Sequence, residues 1–436
     1  MTTFHSTLIS AAAVALSLQL APAQTPANPN ANGAAKQVYH FLSTYKNEPG
    51  KCLILGQNLG WSFEQFEPFV EDLHAQTGQW LGLVGGQMRN APGEIDIPQL
   101  VQLYKEWFEA GGLVEMSMLP DNPWTGGSAW DLAATDIWKL TTPGQPGYDQ
   151  WKAELDYFAS ILAQLRDAGV VVLWRPIVEM NGDWFWWGWH GDDDPQPFID
   201  LWRDMFDYFT YTKQLDNLLW VYAANWDYGA IPSVDHFYPG DDVVDVTGLD
   251  IYQNGLDIPL SNYQTMVALG KPFAITEFGP THENMDGSHD YMTYVNKILN
   301  SFAQTTYALA WHDWPDHKVA WVSNQNYQAV MNTPCILTRD ELHDLVLETE
   351  NPAGQEASAS VFPNPAAGSA VLKLPEGMEV KSLRLTDLAG RRRELSRSQG
   401  QVGECRLFWS SLPPGAYLLR VEVGGAFFFE KLIVLF

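Results

Sequence analysis

Eight short apolar runs recur along the middle of the chain, each separated from the next by polar turns and stretches with helical periodicity. They are 52–58 (CLILGQN), 80–88 (WLGLVGGQM), 113–119 (LVEMSML), 170–177 (VVVLWRPI), 218–224 (LLWVYAA), 245–252 (DVTGLDIY), 272–279 (PFAITEFG) and 307–314 (YALAWHDW). Runs this continuously apolar suit strands covered on both faces, as a parallel sheet requires. Amphipathic stretches fit between them, such as 98–110, ending at Gly111-Gly112, and 149–168, ending at Gly169. Glycine just past a periodic stretch is a helix C-cap signal. Eight strand–helix units predict an α/β fold, a (β/α)8 TIM barrel, with its site at the C-terminal ends of the strands.

The pattern changes at both ends. Leu8 to Leu20 is a short apolar run followed by Ala21-Pro22-Ala23-Gln24, which reads as a signal peptide over 1–23. Residues 24–35 (QTPANPNANGAA) and 351–360 (NPAGQEASAS) read as linkers on either side of a catalytic domain at 36–350. Residues 361–436 alternate short strands with turns, which predicts a small all-β sandwich.

Charge sharpens this division. The chain carries a net −27, but the last 76 residues hold 10 of its 25 basic and 7 of its 52 acidic residues, so the barrel carries nearly all the excess acid. Nucleic acid, whose phosphates require Lys and Arg, is excluded as a partner, as is an anionic membrane surface. No stretch is long and apolar enough for a membrane span. A neutral polymer is the natural partner, and 19 Trp supply flat surfaces for sugar rings. Three cysteines are too few for a disulfide framework. Cys52 opens the first strand and Cys335 follows the last, so the two are expected at opposite ends of the barrel, too far apart to bridge.

Two carboxylates stand out by position. Glu179 follows the fourth strand and Glu277 ends the seventh, so both should point into the barrel mouth. There, unequal burial can make one carboxyl an acid and leave the other a nucleophile. A retaining glycosidase needs such a pair about 5–5.5 Å apart. The alternative is two glutamates that merely pair with nearby arginines. The loop 184–189 (WFWWGW) should contribute two stacking platforms and bury its other rings. Asp192, Asp193 and Asp194 read as a solvated turn and helix start, not a metal site. No P-loop, dinucleotide fingerprint or Ser-His-Asp arrangement appears, and no cofactor or metal is expected.

The run WRPIVEMNGDWFWWG (174–188) strongly resembles the acid/base segment of glycoside hydrolase family 26. That family comprises β-mannanases with some β-1,3-xylanases and β-1,3-1,4-glucanases. GLDIY (248–252), ITEFG (275–279) and DNPWTGG (121–127) resemble it too. The resemblance implies Glu179 as acid/base, Glu277 as nucleophile, Tyr252 as hydrogen-bond donor to the nucleophile, and Trp184 and Trp311 flanking the cleaved sugar. It makes Arg175 an internal partner of the carboxylates, although a buried structural arginine would read the same way. Trp189, Asn122, Trp124, Gln87 and Trp226 complete the candidate substrate-binding set.

Three positions depart from the family pattern. Val178 stands where His usually precedes the acid/base, Met118-Leu119 where Trp-His is usual, and Gln87 where Asp is common. The function implied is a secreted retaining endo-β-glycosidase acting on β-1,4-mannan. The alternatives are β-1,3-xylan or mixed-linkage β-glucan as substrate, or a barrel that binds polysaccharide without cutting it. In the tail, VFPNP (361–365), LTDLAGR (385–391) and PGAY (414–417) resemble the C-terminal sorting domain of the type IX secretion system, which implies secretion machinery as a partner. A small carbohydrate-binding module is the alternative. The protein is expected to be a monomer.

Overall fold

The computed structural model describes residues 25–45, 52–61, 63–89, 95–333, 335–346, 360–364, 366–374, 380–387, 392–399, 404–423 and 426–434. The signal-peptide reading of 1–23 and most of the second linker lie outside these residues.

The eight apolar runs form eight parallel strands: β1 (Leu53–Asn58), β2 (Leu83–Arg89), β3 (Leu113–Leu119), β4 (Val172–Arg175), β5 (Leu218–Asn225), β6 (Val246–Tyr252), β7 (Phe273–Gly279) and β8 (Thr305–Ala310). Neighbours pair in sequence order, and β1 pairs with both β2 and β8, so the sheet closes on itself. β1, β3, β5, β7 and β8 are buried at every residue, which is why their sequences do not alternate. The 149–168 periodicity becomes the helix Tyr148–Asp167. It stops where Gly169 turns with φ +81° and its N–H bonds Arg166 O at 2.9 Å. No helix among the described residues is long and apolar enough to cross a membrane.

Two expectations need correction. The supposed first linker is docked on the barrel, and the first helix, Gly33–Tyr45, begins within it. Its asparagines bond to the barrel and cap the helix where a linker's would face water. Asn28 is buried and donates to Leu215 O at 2.9 Å, while Asn32 Oδ1 accepts the Ala35 N–H at 2.8 Å and caps the helix. Ala27 N–H adds a 2.6 Å bond to Asp245.

The second correction concerns Cys52 and Cys335, which are neighbours. β2 pairs only with the upper half of β1, Gly56 to Asn58. After β8 the chain returns to the bottom of the barrel, where a two-residue strand, β9 (Ile336–Leu337), pairs with Leu53 and Ile54.

The tail forms two four-stranded antiparallel sheets, one built on Ser369–Lys373 and Glu404–Phe408, the other on Val380–Asp387 and Gly415–Val423. Leu372 and Leu407 of the first share an apolar core with Leu385, Leu419 and Leu432 of the second, as in a sandwich.

Candidate active site

The site grows from charged residues set inside otherwise apolar strands. Arg175 ends β4 and is fully buried. Its Nε donates to Glu115 of β3 at 3.0 Å, and its Nη1 donates to Asp250 of β6 at 3.2 Å and to Glu277 of β7 at 2.7 Å. Tyr307 of β8 donates to the other oxygen of Glu115 at 2.7 Å, and Thr276 donates to Asp250 at 2.6 Å. Five strands thus converge on one guanidinium. Burial alone would lower the Arg175 pKa, but Glu277, Asp250 and Glu115 outweigh it and hold the group charged. Burial pushes Glu115 up to about 7 and Asp250 well above the carboxylate range.

This network fixes Glu277. One carboxyl oxygen takes the Arg175 bond, and the other accepts the Tyr252 hydroxyl at 2.8 Å. Two donors, one charged, thus hold the carboxyl in place from both sides. Burial and the facing Glu277 charge keep the Tyr252 hydroxyl protonated, so it remains a donor.

Glu179 arrives from the loop after β4. Ile177 and Glu179 both adopt positive φ, +38° and +54°, which side-chain-bearing residues rarely do. This turn sends the Glu179 amide to Ala223 O on β5 at 2.9 Å and leaves the carboxyl half-buried over the mouth. Trp184 Nε1 donates to Glu179 Oε2 at 2.8 Å. A Cβ on Gly182 would lie 2.2 Å from the Trp184 ring, so only glycine lets that ring fold back over Glu179. Withdrawal from water raises the Glu179 pKa to about 8, helped by the Glu277 charge and opposed by the Trp184 N–H and Arg175.

One carboxyl oxygen from each of Glu179, Asp250 and Glu277 lies within 4.8 Å of the others. Three carboxylates can hold a metal ion, but here Arg175 Nη1 already sits against two of them. The cation of this site is the guanidinium.

The aromatic run divides by exposure. Phe185, Trp186 and Trp187 are buried, while Trp184 and Trp189 are half-buried. Trp311 follows β8, packs with Tyr252, and lies with its ring 6.0 Å from the Arg175 guanidinium carbon. Trp226, half-buried after β5, donates its backbone N–H to Asp250 O at 3.2 Å. Gln87 is buried near the end of β2. Trp124 is half-buried, with its indole N–H tied to Pro146 O at 2.8 Å. Val178 and Leu119 are packed away at 2% and 5% exposure, so neither offers a polar atom at the mouth.

Asn122 is a correction. It is fully buried and organises its own loop, donating both amide protons to Asp131 O and Ala134 O and accepting the Trp124 N–H, so its side chain faces the loop interior and not a ligand.

Sequence reasoning missed Glu115, Asp250, Tyr307 and His312. The signal for the first two was present: an acidic residue inside an apolar strand must be paired to be tolerated. His312 follows Trp311, with Nδ1 against Asp313 O at 2.7 Å, and burial lowers its pKa. Nothing in the spacing of LAWHDW distinguishes this histidine from a packed one.

Removing the cation tests the network. Arg175→Met leaves three buried carboxyls unpaired and should reduce unfolding free energy at pH 8 by about 3–5 kcal/mol. The deficit should shrink toward pH 5, where Glu115 and Asp250, raised by burial, take up protons and lose their charge. Denaturant melts at the two pH values check this; a loss below about 1 kcal/mol at pH 8 would mean the ion cluster contributes little to stability.

Comparison with known proteins decides the family. Residues 27–341 match the family model Glycosyl hydrolase family 26. The chain belongs to that family. A mannan endo-1,4-beta-mannosidase from Bacillus subtilis is 33% identical over 334 residues, covering 73% of this chain and 89% of the relative. The mannan endo-1,4-beta-mannosidase A and B of Caldalkalibacillus mannanilyticus is 33% identical over 330 residues, but this match spans 72% of the chain and only 62% of the relative. Among solved structures, a Bacillus subtilis mannanase superposes with a TM-score of 0.65 at 28% identity, covering 76% of this chain and 98% of that one. Residues 360–435 of this family 26 glycoside hydrolase match a secretion system C-terminal sorting domain. It is therefore a protein of the cell exterior or cell surface.

Proposed function

We propose that this family 26 member hydrolyses internal β-1,4 bonds of mannan with retention of configuration. Glu277 acts as nucleophile and Glu179 as acid/base. The observation that carries the reading is the pair of carboxyls, with oxygens within 4.8 Å of each other at the barrel mouth. Oxygens this close suit a carboxylate that attacks directly, for which the carboxyls stand about 5–5.5 Å apart, better than the wider gap of about 6.5–9.5 Å at which inversion seats a water. The mannosidase relatives supply the substrate class.

In the first step the Glu277 carboxylate, held in position by Arg175 and Tyr252, attacks the anomeric carbon. Glu179 protonates the departing glycosidic oxygen, a role its raised pKa suits. Glu179, now a carboxylate, then takes a proton from water as that water displaces Glu277. Two inversions restore the original anomer. Trp184 and Trp311 provide apolar faces for the sugar at the cleaved bond.

Because the acid form of Glu179 persists to about 8, kcat/KM should fall only as pH rises through roughly that value. Trp184→Phe deletes the N–H that opposes this shift, so the alkaline limb should move to higher pH. Loss of stacking alone would raise KM and leave the limb in place.

The substrate is tested by product analysis on β-1,4-mannan, β-1,3-xylan, lichenan and laminarin. Mannan should be cut to short oligosaccharides with kcat/KM at least about tenfold above the others. Preference for xylan or lichenan would reassign the sugar to the apolar surroundings of Val178 and Leu119. Binding without products would support a non-catalytic barrel.

A further inference from the structure

We propose that Cys52 and Cys335 form a disulfide on export, tying the start of β1 to the return strand β9. β1 and β9 pair in parallel, with Leu53 opposite Ile336 and Ile54 opposite Leu337. One step back in the same register sets Cys52 opposite Cys335. The Leu53 N–H donates to Cys335 O at 2.7 Å, so the ladder continues to the cysteines themselves. Adjacent strands lie about 4.8 Å apart, within the Cα separations of about 4.4–6.8 Å that disulfides span. Equal parity in the ladder sends both side chains to the same side.

The surroundings hold this geometry. Tyr45 donates its hydroxyl to Cys52 O and accepts the Cys52 N–H, both at 2.8 Å, fixing the backbone just before β1. Both cysteines are half-buried, so a thiol oxidant can reach them, whereas Cys405 lies buried in the tail. The sorting-domain match takes the chain out of the cytosol, into compartments where disulfides form and persist.

The reaction is exchange with a protein disulfide donor. Burial and the neighbouring Cys335 push the Cys52 thiol up to about 12, which keeps it protonated and makes it a poor first nucleophile. The Cys335 thiolate attacks the donor disulfide, one donor sulfur leaves and takes up a proton, and a mixed disulfide remains. Cys52 then loses its proton and displaces the second donor sulfur. The two cysteines are oxidised by two electrons, and the donor leaves as a dithiol. The bond closes a loop containing almost the whole barrel and joins its first and last strands, so it constrains the unfolded chain strongly.

The test uses the full chain exported through an oxidising compartment, with thiols titrated in denaturant and a non-reducing peptide map. The expected result is one titratable thiol, Cys405, rising to three after reduction, with a peptide linking 52 to 335. If the tail has been removed, the counts become none and two. Reduction of the native protein should lower Tm by about 5 °C, and Cys52→Ser/Cys335→Ser should show no such response while keeping wild-type activity on polysaccharide at 25 °C. Three thiols before reduction in the full chain, two in the tail-less form, or a cross-link from Cys405 to either barrel cysteine, would overturn the proposal.

Discussion

Glu277→Ala should lower kcat on every glycoside tested by about 10⁴–10⁶-fold, the scale seen when a nucleophile is removed from a site that otherwise binds normally. No covalent intermediate can form without it, so a better leaving group gives no relief. Folding should survive, because alanine removes one carboxyl from a cluster that holds Glu115 and Asp250 against the same arginine. Taking away one of three anions relaxes their mutual repulsion. The cavity left beside the anomeric carbon admits azide, and with an activated β-mannoside the variant should release the α-mannosyl azide, a single inversion. Recovery of the β-azide from this variant would mean that the nucleophile is still present and is not Glu277.

Glu179→Ala should separate the two steps. On mannan, whose leaving group needs a proton, kcat/KM should fall by about 10²–10⁴-fold. On a dinitrophenyl glycoside, whose leaving group departs unprotonated, formation of the intermediate should proceed near the wild-type rate. The intermediate then accumulates because no base activates water, giving a burst followed by a slow steady state. Azide needs no deprotonation, so it should restore turnover and yield the β-mannosyl azide. The alkaline limb assigned to Glu179 should vanish in this variant. A variant equally slow on both substrates and insensitive to azide would remove Glu179 from the acid/base role.

How much of this was legible in the sequence follows from what each feature depends on. The strands were readable because both faces are buried, and a run such as 218–224 has no charged position to blur its edges. Glu277 was readable because it lies near the C-terminal end of an apolar parallel strand, and Glu179 because its loop follows directly on the C-terminal end of another. Asn122 misled because the motif around it marks a loop of the site, while its amide holds that loop together from inside. The docked segment 25–32 misled because Asn, Pro and Gly serve equally in water and in capped, hydrogen-bonded turns. The cysteine pair was invisible, since its adjacency depends on the chain returning beneath the barrel and filling the half of β1 that β2 leaves uncovered. Glu115 and Tyr307 meet only because the barrel closes, and no local pattern encodes a contact across so many residues.

Retention through Glu277 requires a covalent glycosyl intermediate on that residue, and trapping it is the most direct measurement. The purified enzyme would be incubated with a 2-deoxy-2-fluoro-β-mannosyl fluoride, its intact mass recorded, and the labelled peptide sequenced. The predicted result is one fluorosugar per chain, attached within ITEFG at Glu277, with activity lost in proportion and regained slowly as the adduct turns over. A label on Glu179, or no label together with release of the inverted anomer from mannan, would contradict it.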